Sequence, residues 1–417
     1  MRRPSKNSSH RLSGDSQKLV NAAQGLMQSS SRLEERVWER NLDALLRKLL
    51  KTGHQETVDA ALDHLFKSDL SAYETLMEAA EAGSESCHIE HDDGHYDALL
   101  IAAPILAWTR FSIASGTIPT DVQTALSAHL HAHLLSSNAR LAMAPTLFAI
   151  DQLPHSHAET LAMTQRMAQA ALKDTPLRPL TNPPETAPFL ADTRYVLAVV
   201  VVRAGEPLFL WQETANPADR ERAASHWRAQ AMPNIMRLLP GCNVELLLPE
   251  AYHIACREAD KFIRPASIRA AVHYLTNTLA TDPQELRAII GSFSEEPVSG
   301  RIDEYRISFT LRHSPEVIYG VVWPLYGQED EDEADRATIA EALSSVEDAL
   351  SDQPRTPSEE ILALLRESGI VHIKRHSERF PLEFCDDCGS PLYPDPDADL
   401  VHAEMPEDVP SGTGHFH

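Results

Sequence analysis

The chain has 417 residues, 43% of them hydrophobic, which is too many for one core and points to two or three domains. Its 61 acidic against 37 basic side chains give a formal net charge of −24, a field that repels a phosphate backbone and argues against nucleic acid as a partner. The longest apolar run, Val196–Val202, is strand-sized, so no membrane span is expected. Five cysteines, an odd and low number, are thiol usage for a reducing compartment and predict a cytoplasmic protein.

Residues 1–30 are polar and rich in Ser and Gln, with Arg2, Arg3, Lys6 and Arg11 as the one basic cluster, and are expected to form a disordered tail. Apolar residues then recur at three- and four-residue spacing: Leu33, Val37, Leu42, Leu46 and Leu50, followed by Leu62, Leu65, Leu70 and Leu76. Gly53 and Asp69 punctuate these helices. The period resumes over Leu99–Phe111, Thr120 opens a helix carrying Val122, Leu126, Leu130 and Leu134, and Thr160–Leu172 is another. Residues 31–175 therefore read as an all-helical domain. Five prolines between 175 and 191 mark its boundary.

Past the prolines the pattern turns to strands. Tyr195–Val202 and Leu208–Trp211 read as a hairpin around Arg203-Ala-Gly-Glu-Pro. Asn216-Pro217 with Asp219 starts a helix that Gly241 ends, and Val244–Leu248 is a third strand. Helices are expected through Ile290. A second hairpin, Tyr305–Leu311 and Val317–Trp323, flanks a His-Ser-Pro-Glu turn. An acidic helix is expected over 333–350, and another begins at Thr356-Pro357 with Glu359, a capping box, and stops at Gly369 before the strand Ile370–Ile373. The shared order of strand, turn, strand, helix, strand, with Trp211-Gln212-Glu213 echoed by Trp323 and Gln328-Glu329, suggests a diverged internal duplication. The fold class is α+β: an all-α N-terminal domain, then an antiparallel or mixed α/β sandwich over 192–380, then a zinc-knuckle tail over 381–417.

The tail carries the most readable chemistry. Cys385-Asp386-Asp387-Cys388-Gly389 places two thiolates two residues apart, and the glycine permits a backbone turn that lets both face one metal. A lone knuckle is half a site, because a closed zinc site wants four ligands. His402, His415 and His417 are the candidates for the rest. His415 and His417 would point to one side of an extended chain. His376 is a reserve. A metal-free tight turn is the plain alternative to zinc.

Three other clusters are weaker. Cys87-His88-Ile89-Glu90-His91 running on to His95 is dense in ligand types, but turn chemistry explains it. His129 and His133 share a helical face, yet a leucine stands where a zincin needs glutamate. His253 and Cys256 are helical neighbours after the third strand, with no orienting third group in view. There is no phosphate-cradling loop, no serine elbow and no dinucleotide fingerprint.

The Met-Arg-Arg-Pro-Ser start, the Ala102–Arg110 segment, Asp151-Gln152-Leu153-Pro154 and the Cys385–Pro394 knuckle together resemble an uncharacterised beta-proteobacterial domain-of-unknown-function family, domain of unknown function 2863. The resemblance spans nearly the whole chain. It implies a bacterial cytoplasmic protein and carries over no catalytic residue. The expectation is a non-catalytic binding or scaffold protein with a protein partner and a structural zinc site. The competing reading is an enzyme with a site at the domain interface built from His91, His95, Glu250 and His253.

Overall fold

The computed structural model describes residues 12–91, 93–181, 184, 186, 189–295, 301–326, 329 and 356–405. Among them are ten α-helices and thirteen strands, a mixed α+β architecture.

The chain opens with α1 (Gly14–Met27), capped by the Ser13 side chain and burying Leu19, Val20, Ala22 and Ala23. The expected disordered tail is therefore helix from residue 14. A small-residue stripe suffices because α2 (Arg32–Lys51), α3 (Gln55–Ser68) and α4 (Leu70–Glu85) close around it, with Leu42, Leu46, Val58, Leu65 and Leu76 in one core. Asp69 caps α4 by accepting from the Ala72 N–H, so the punctuation expected there is a helix N-terminus.

The all-helical reading of 31–175 fails beyond this bundle. β1 (Ser86–His91) and β2 (Gly94–Trp108) form a hairpin, and β3 (Gly116–Thr117) and β4 (Arg140–Phe148) join the same sheet. The Leu99–Phe111 periodicity belongs largely to β2, which is apolar at nearly every position because both of its faces are buried. β2 pairs along its length with β5 (Ala191–Arg203), from Tyr96 opposite Arg203 to Trp108 opposite Ala191. The proline segment thus separates two strands of one sheet, and the core is continuous across it.

Alternation sorts the two faces. Leu100, Ala102 and Leu106 of β2 and Leu197, Val199 and Val201 of β5 face α6 (His157–Lys173) and the first half of α9 (Tyr252–Thr278). Ile101, Ala103 and Ile105 with Val196, Ala198 and Val200 face α5 (Thr120–His133) and α8 (Ala218–Leu238). On its other edge β2 pairs successively with β1, with β7 (Glu250–Ala251) and with β6 (Asn243–Leu246). Pro104 sits in this central strand without loss. Its carbonyl accepts from Leu247 N on that edge, so its missing donor faces the same edge, where the ladder passes from β7 to β6.

The expected first hairpin is absent. Leu210–Glu213 is a short helix, α7, and Phe209 makes only an isolated bridge to Leu135. The duplication loses its first half with it. Leu286–Ser294, expected to end a helix, is strand β8, and only Pro283–Glu285 before it is a 3₁₀ turn. The second hairpin is as expected, β9 (Glu304–Leu311) with β10 (Val317–Pro324). β8 pairs antiparallel with β9 and parallel with β11 (His372–Pro381), which gives a four-stranded mixed sheet in the order β10-β9-β8-β11. The second half of α9 (Ile268, Ala271, Leu275) and α10 (Pro357–Glu367) cover it. The acidic helix expected over 333–350 lies outside the described residues.

Thr356 accepts from Glu359 N at 3.2 Å and Glu359 accepts from Thr356 N at 3.0 Å, the reciprocal cap of α10. Replacing Thr356 by Ala removes one half of it, and urea denaturation is expected to show a loss of about 1 kcal/mol. A variant as stable as the parent would contradict the assigned cap.

Candidate metal centre

After β11 the chain folds back on itself. Phe384 bridges Pro391, Cys385 N donates to Ser390 O at 2.8 Å, Gly389 N to Cys385 O at 2.9 Å, and Leu392 N to Glu383 O at 3.1 Å. Gly389 has φ +75°, a conformation that side-chain-bearing residues resist, and this is what turns the second cysteine toward the first. The hairpin β12 (Tyr393–Pro394) and β13 (Leu400–Val401) follows. Its turn is tied by Asp395, whose Oδ1 accepts from the amides of Asp397 and Asp399. That hairpin returns His402 to the knuckle, with Nε2 3.2 Å from Cys388 Sγ.

The ligand atoms of Cys385, Cys388 and His402 all lie within 4.8 Å of one another, and no other such group occurs among the described residues. With Zn–S about 2.3 Å and Zn–N about 2.0 Å, the edges of a tetrahedron come to about 3.8 Å between sulfurs and about 3.5 Å between sulfur and nitrogen. The set fits one ion with small adjustments. The Cys388 thiol is drawn down to about 7, first by hydrogen bonding with Ser390. His402 Nδ1 faces Glu404 Oε1 at 3.4 Å without hydrogen-bond geometry. His415 and His417 lie outside the described residues. His376 is buried on β11, bonded through Nε2 to Asp395 O at 2.9 Å, and is not in the group.

The knuckle is seated by a residue the sequence reading missed. Arg306 on β9 is fully buried. It donates to Glu304 and to the carbonyls of Glu383 and Leu392, on either side of the knuckle, each at 2.6 Å. Its guanidinium carbon lies 4.3 Å from the Phe293 ring centroid and 5.0 Å from that of Phe384. Two strand glycines complete the seat. A Cβ on Gly320 would sit 2.2 Å from the Tyr393 ring, and one on Gly291 3.0 Å from Phe380 and Pro394. Glycine inside a strand is the usual sign of such close approach, and it was the available signal.

The other clusters do not form metal groups. His88 pairs with Asp97, and His91 with Asp93 at 2.9 Å, on the β1–β2 hairpin. His129 and His133 stack with ring centroids 6.1 Å apart, and His226 of α8 stands 5.8 Å from His133. Glu250 pairs with Arg220. His253 lines a cavity of about 350 Å³ where α3, α6, β5 and α9 meet. Its Nε2 lies 2.8 Å from Ser84 Oγ, and burial pulls its pKa down to about 3. Burial pushes the neighbouring Cys256 thiol far up, so it is no thiolate nucleophile.

A family described as "Protein of unknown function (DUF2863)" matches residues 4–416. The chain belongs to this family. Comparison with the curated proteins and with the solved structures returned no match. Membership of DUF2863 agrees with the resemblance read from the sequence and assigns no chemistry to the knuckle. Among the described residues, no helix is long and apolar enough to cross a membrane.

Glu85 ends α4 beneath the cavity, and its carboxylate accepts from His253 N at 2.9 Å. Burial raises its pKa from the usual 4.5 to about 7. Between those values the folded state binds more protons than the unfolded, so Glu85 subtracts stability as pH rises through the window. His253, depressed by burial, has the opposite slope over its own window and is common to parent and variant. The stability of Glu85→Gln minus that of the parent is therefore expected to grow from near zero at pH 4.5 to a plateau above pH 7 of about 3 kcal/mol. Urea titrations from pH 4 to 8 measure it, and a pH-independent difference would contradict the assignment.

Proposed function

We propose that the protein is a non-catalytic cytoplasmic binding or scaffold protein whose C-terminal segment is clamped onto its second sheet by a structural zinc ion. The observation that carries this reading is the convergence of Cys385, Cys388 and His402 within a Pro- and Asp-rich tail. Two thiolates and an imidazole suit zinc. His415 or His417 supplies the fourth ligand and closes the site against water, which makes its role structural. A tail with so few apolar residues has little hydrophobic means of holding itself down, and metal binding contributes that free energy. The partner is another protein and not nucleic acid, in keeping with the charge of −24.

The enzyme reading has less support. Of His91, His95, Glu250 and His253, only His253 lines the cavity where α9 meets the first sheet. The protonated Cys256 beside it removes the thiol route.

The test is metal analysis of untagged protein purified without chelator. About one zinc per chain is expected, lost in both Cys385→Ser and Cys388→Ser, and bound more weakly when His415 and His417 are both replaced by Ala. Protein that takes up no zinc even after incubation with excess Zn²⁺ and reductant would overturn the reading.

A further inference from the structure

The cavity beside His253 is lined by titratable and aromatic side chains. Its lining includes Asp59 of α3, His157 of α6, Tyr195 of β5, and Tyr252, His253 and Asp260 of α9. The lining holds two carboxylates and neither Lys nor Arg. Three histidines line it, His155, His157 and His253, and burial lowers the pKa of the last two. The tautomer of His157 follows from its neighbour. Gln55 Oε1 accepts from Ala158 N at 3.1 Å, which fixes its amide, and its Nε2 then donates to His157 Nδ1 at 3.2 Å. The imidazole is a neutral acceptor on that side.

Tyr195 supplies the second, independent observation. It is fully buried, lines the cavity, and its hydroxyl has no hydrogen-bond partner. Leaving a buried hydroxyl unpaired costs about 1–3 kcal/mol, so a group that pairs with the Tyr195 oxygen recovers that cost. The charge of Asp260 reaches this hydroxyl, and Asp260 is itself held by Tyr326 and raised to about 6 by burial. Across the cavity Ile150, Leu153 and Pro154 give an apolar wall.

We propose that this cavity binds a small organic cation, a primary amine carrying an apolar or aromatic group. Asp260 is the counter-ion, and the Tyr195 oxygen accepts one ammonium N–H. Among the lining residues an anion finds neither Lys nor Arg to pair with and two carboxylates to repel it. A metal ion is disfavoured because these side chains do not bring three ligand atoms together. The volume, about 350 Å³, lies at the small end of ligand pockets.

The test compares phenethylamine with its neutral and anionic counterparts, 2-phenylethanol and phenylacetate, by calorimetry on the full chain. The amine is expected to bind at least about tenfold tighter than either. Asp260→Asn is expected to weaken it about tenfold or more, and Tyr195→Phe about fivefold. Tyr195→Phe removes only an unpaired oxygen and is expected to melt at or above the parent temperature, so it decides the matter if Asp260→Asn does not fold. Cys385→Ser is expected to keep amine binding, which separates this site from the zinc site. The proposal is overturned if none of the three compounds binds, if the alcohol or the acid binds as well as the amine, or if neither cavity variant changes the affinity.

Discussion

The fold depends on two adjacent strands that are buried on both faces. β2 and β5 pair over thirteen positions, from Tyr96↔Arg203 to Trp108↔Ala191, and show apolar side chains above and below. Water must be excluded from both sides, so helices are required on both: α6 and α9 on one face, α5 and α8 on the other. α9 is 27 residues long and outruns the sheet it covers. Its second half, past Pro265, packs Ile268, Ala271 and Leu275 against the four-stranded sheet. One helix thereby positions the second sheet relative to the first. Its N-terminal turn, carrying Tyr252, His253 and Cys256, sits where the helical bundle and the first sheet meet.

The second sheet carries a buried cation. Removing Arg306 from water is costly, and the cost is offset by Glu304 and by two carbonyls that belong to the tail. The dependence runs both ways. The tail is seated by a guanidinium it alone can satisfy on that side, and the sheet relies on acceptors delivered by a segment with little hydrophobic anchorage of its own. A metal at Cys385, Cys388 and His402 would close the loop between the two accepting carbonyls and make the exchange durable.

How much was legible in the sequence follows from the same physics. Helix starts could be read: the Thr356-Pro357-Glu359 capping box is the clearest, and α8 begins directly after Asn216-Pro217. The β9–β10 hairpin was legible from its two β-branched and aromatic runs around a Ser-Pro turn. β2 was not, because burial on both faces erases the period-2 signal and leaves a continuous apolar run that fits a helical template equally well. Pro104 was the contrary sign, and its meaning depended on a ladder gap invisible in sequence. α1 was missed because its buried stripe is short, Leu19, Val20, Ala22 and Ala23, within a polar segment. At the site, the cysteines announced themselves by spacing, and His402 was among several candidates that only the β12–β13 hairpin could sort. Arg306 and Tyr195 carried no local pattern. One is defined by tail carbonyls about eighty residues away and the other by the walls of a cavity.

The central claim, that the tail is held by a metal on two sulfurs and at least one imidazole, is tested most directly by X-ray absorption at the zinc edge of the purified protein. The account predicts two sulfur scatterers at about 2.3 Å and one or two nitrogen scatterers at about 2.0 Å, with the multiple-scattering pattern of imidazole. A first shell made only of oxygen and nitrogen would place the zinc away from Cys385 and Cys388 and contradict it.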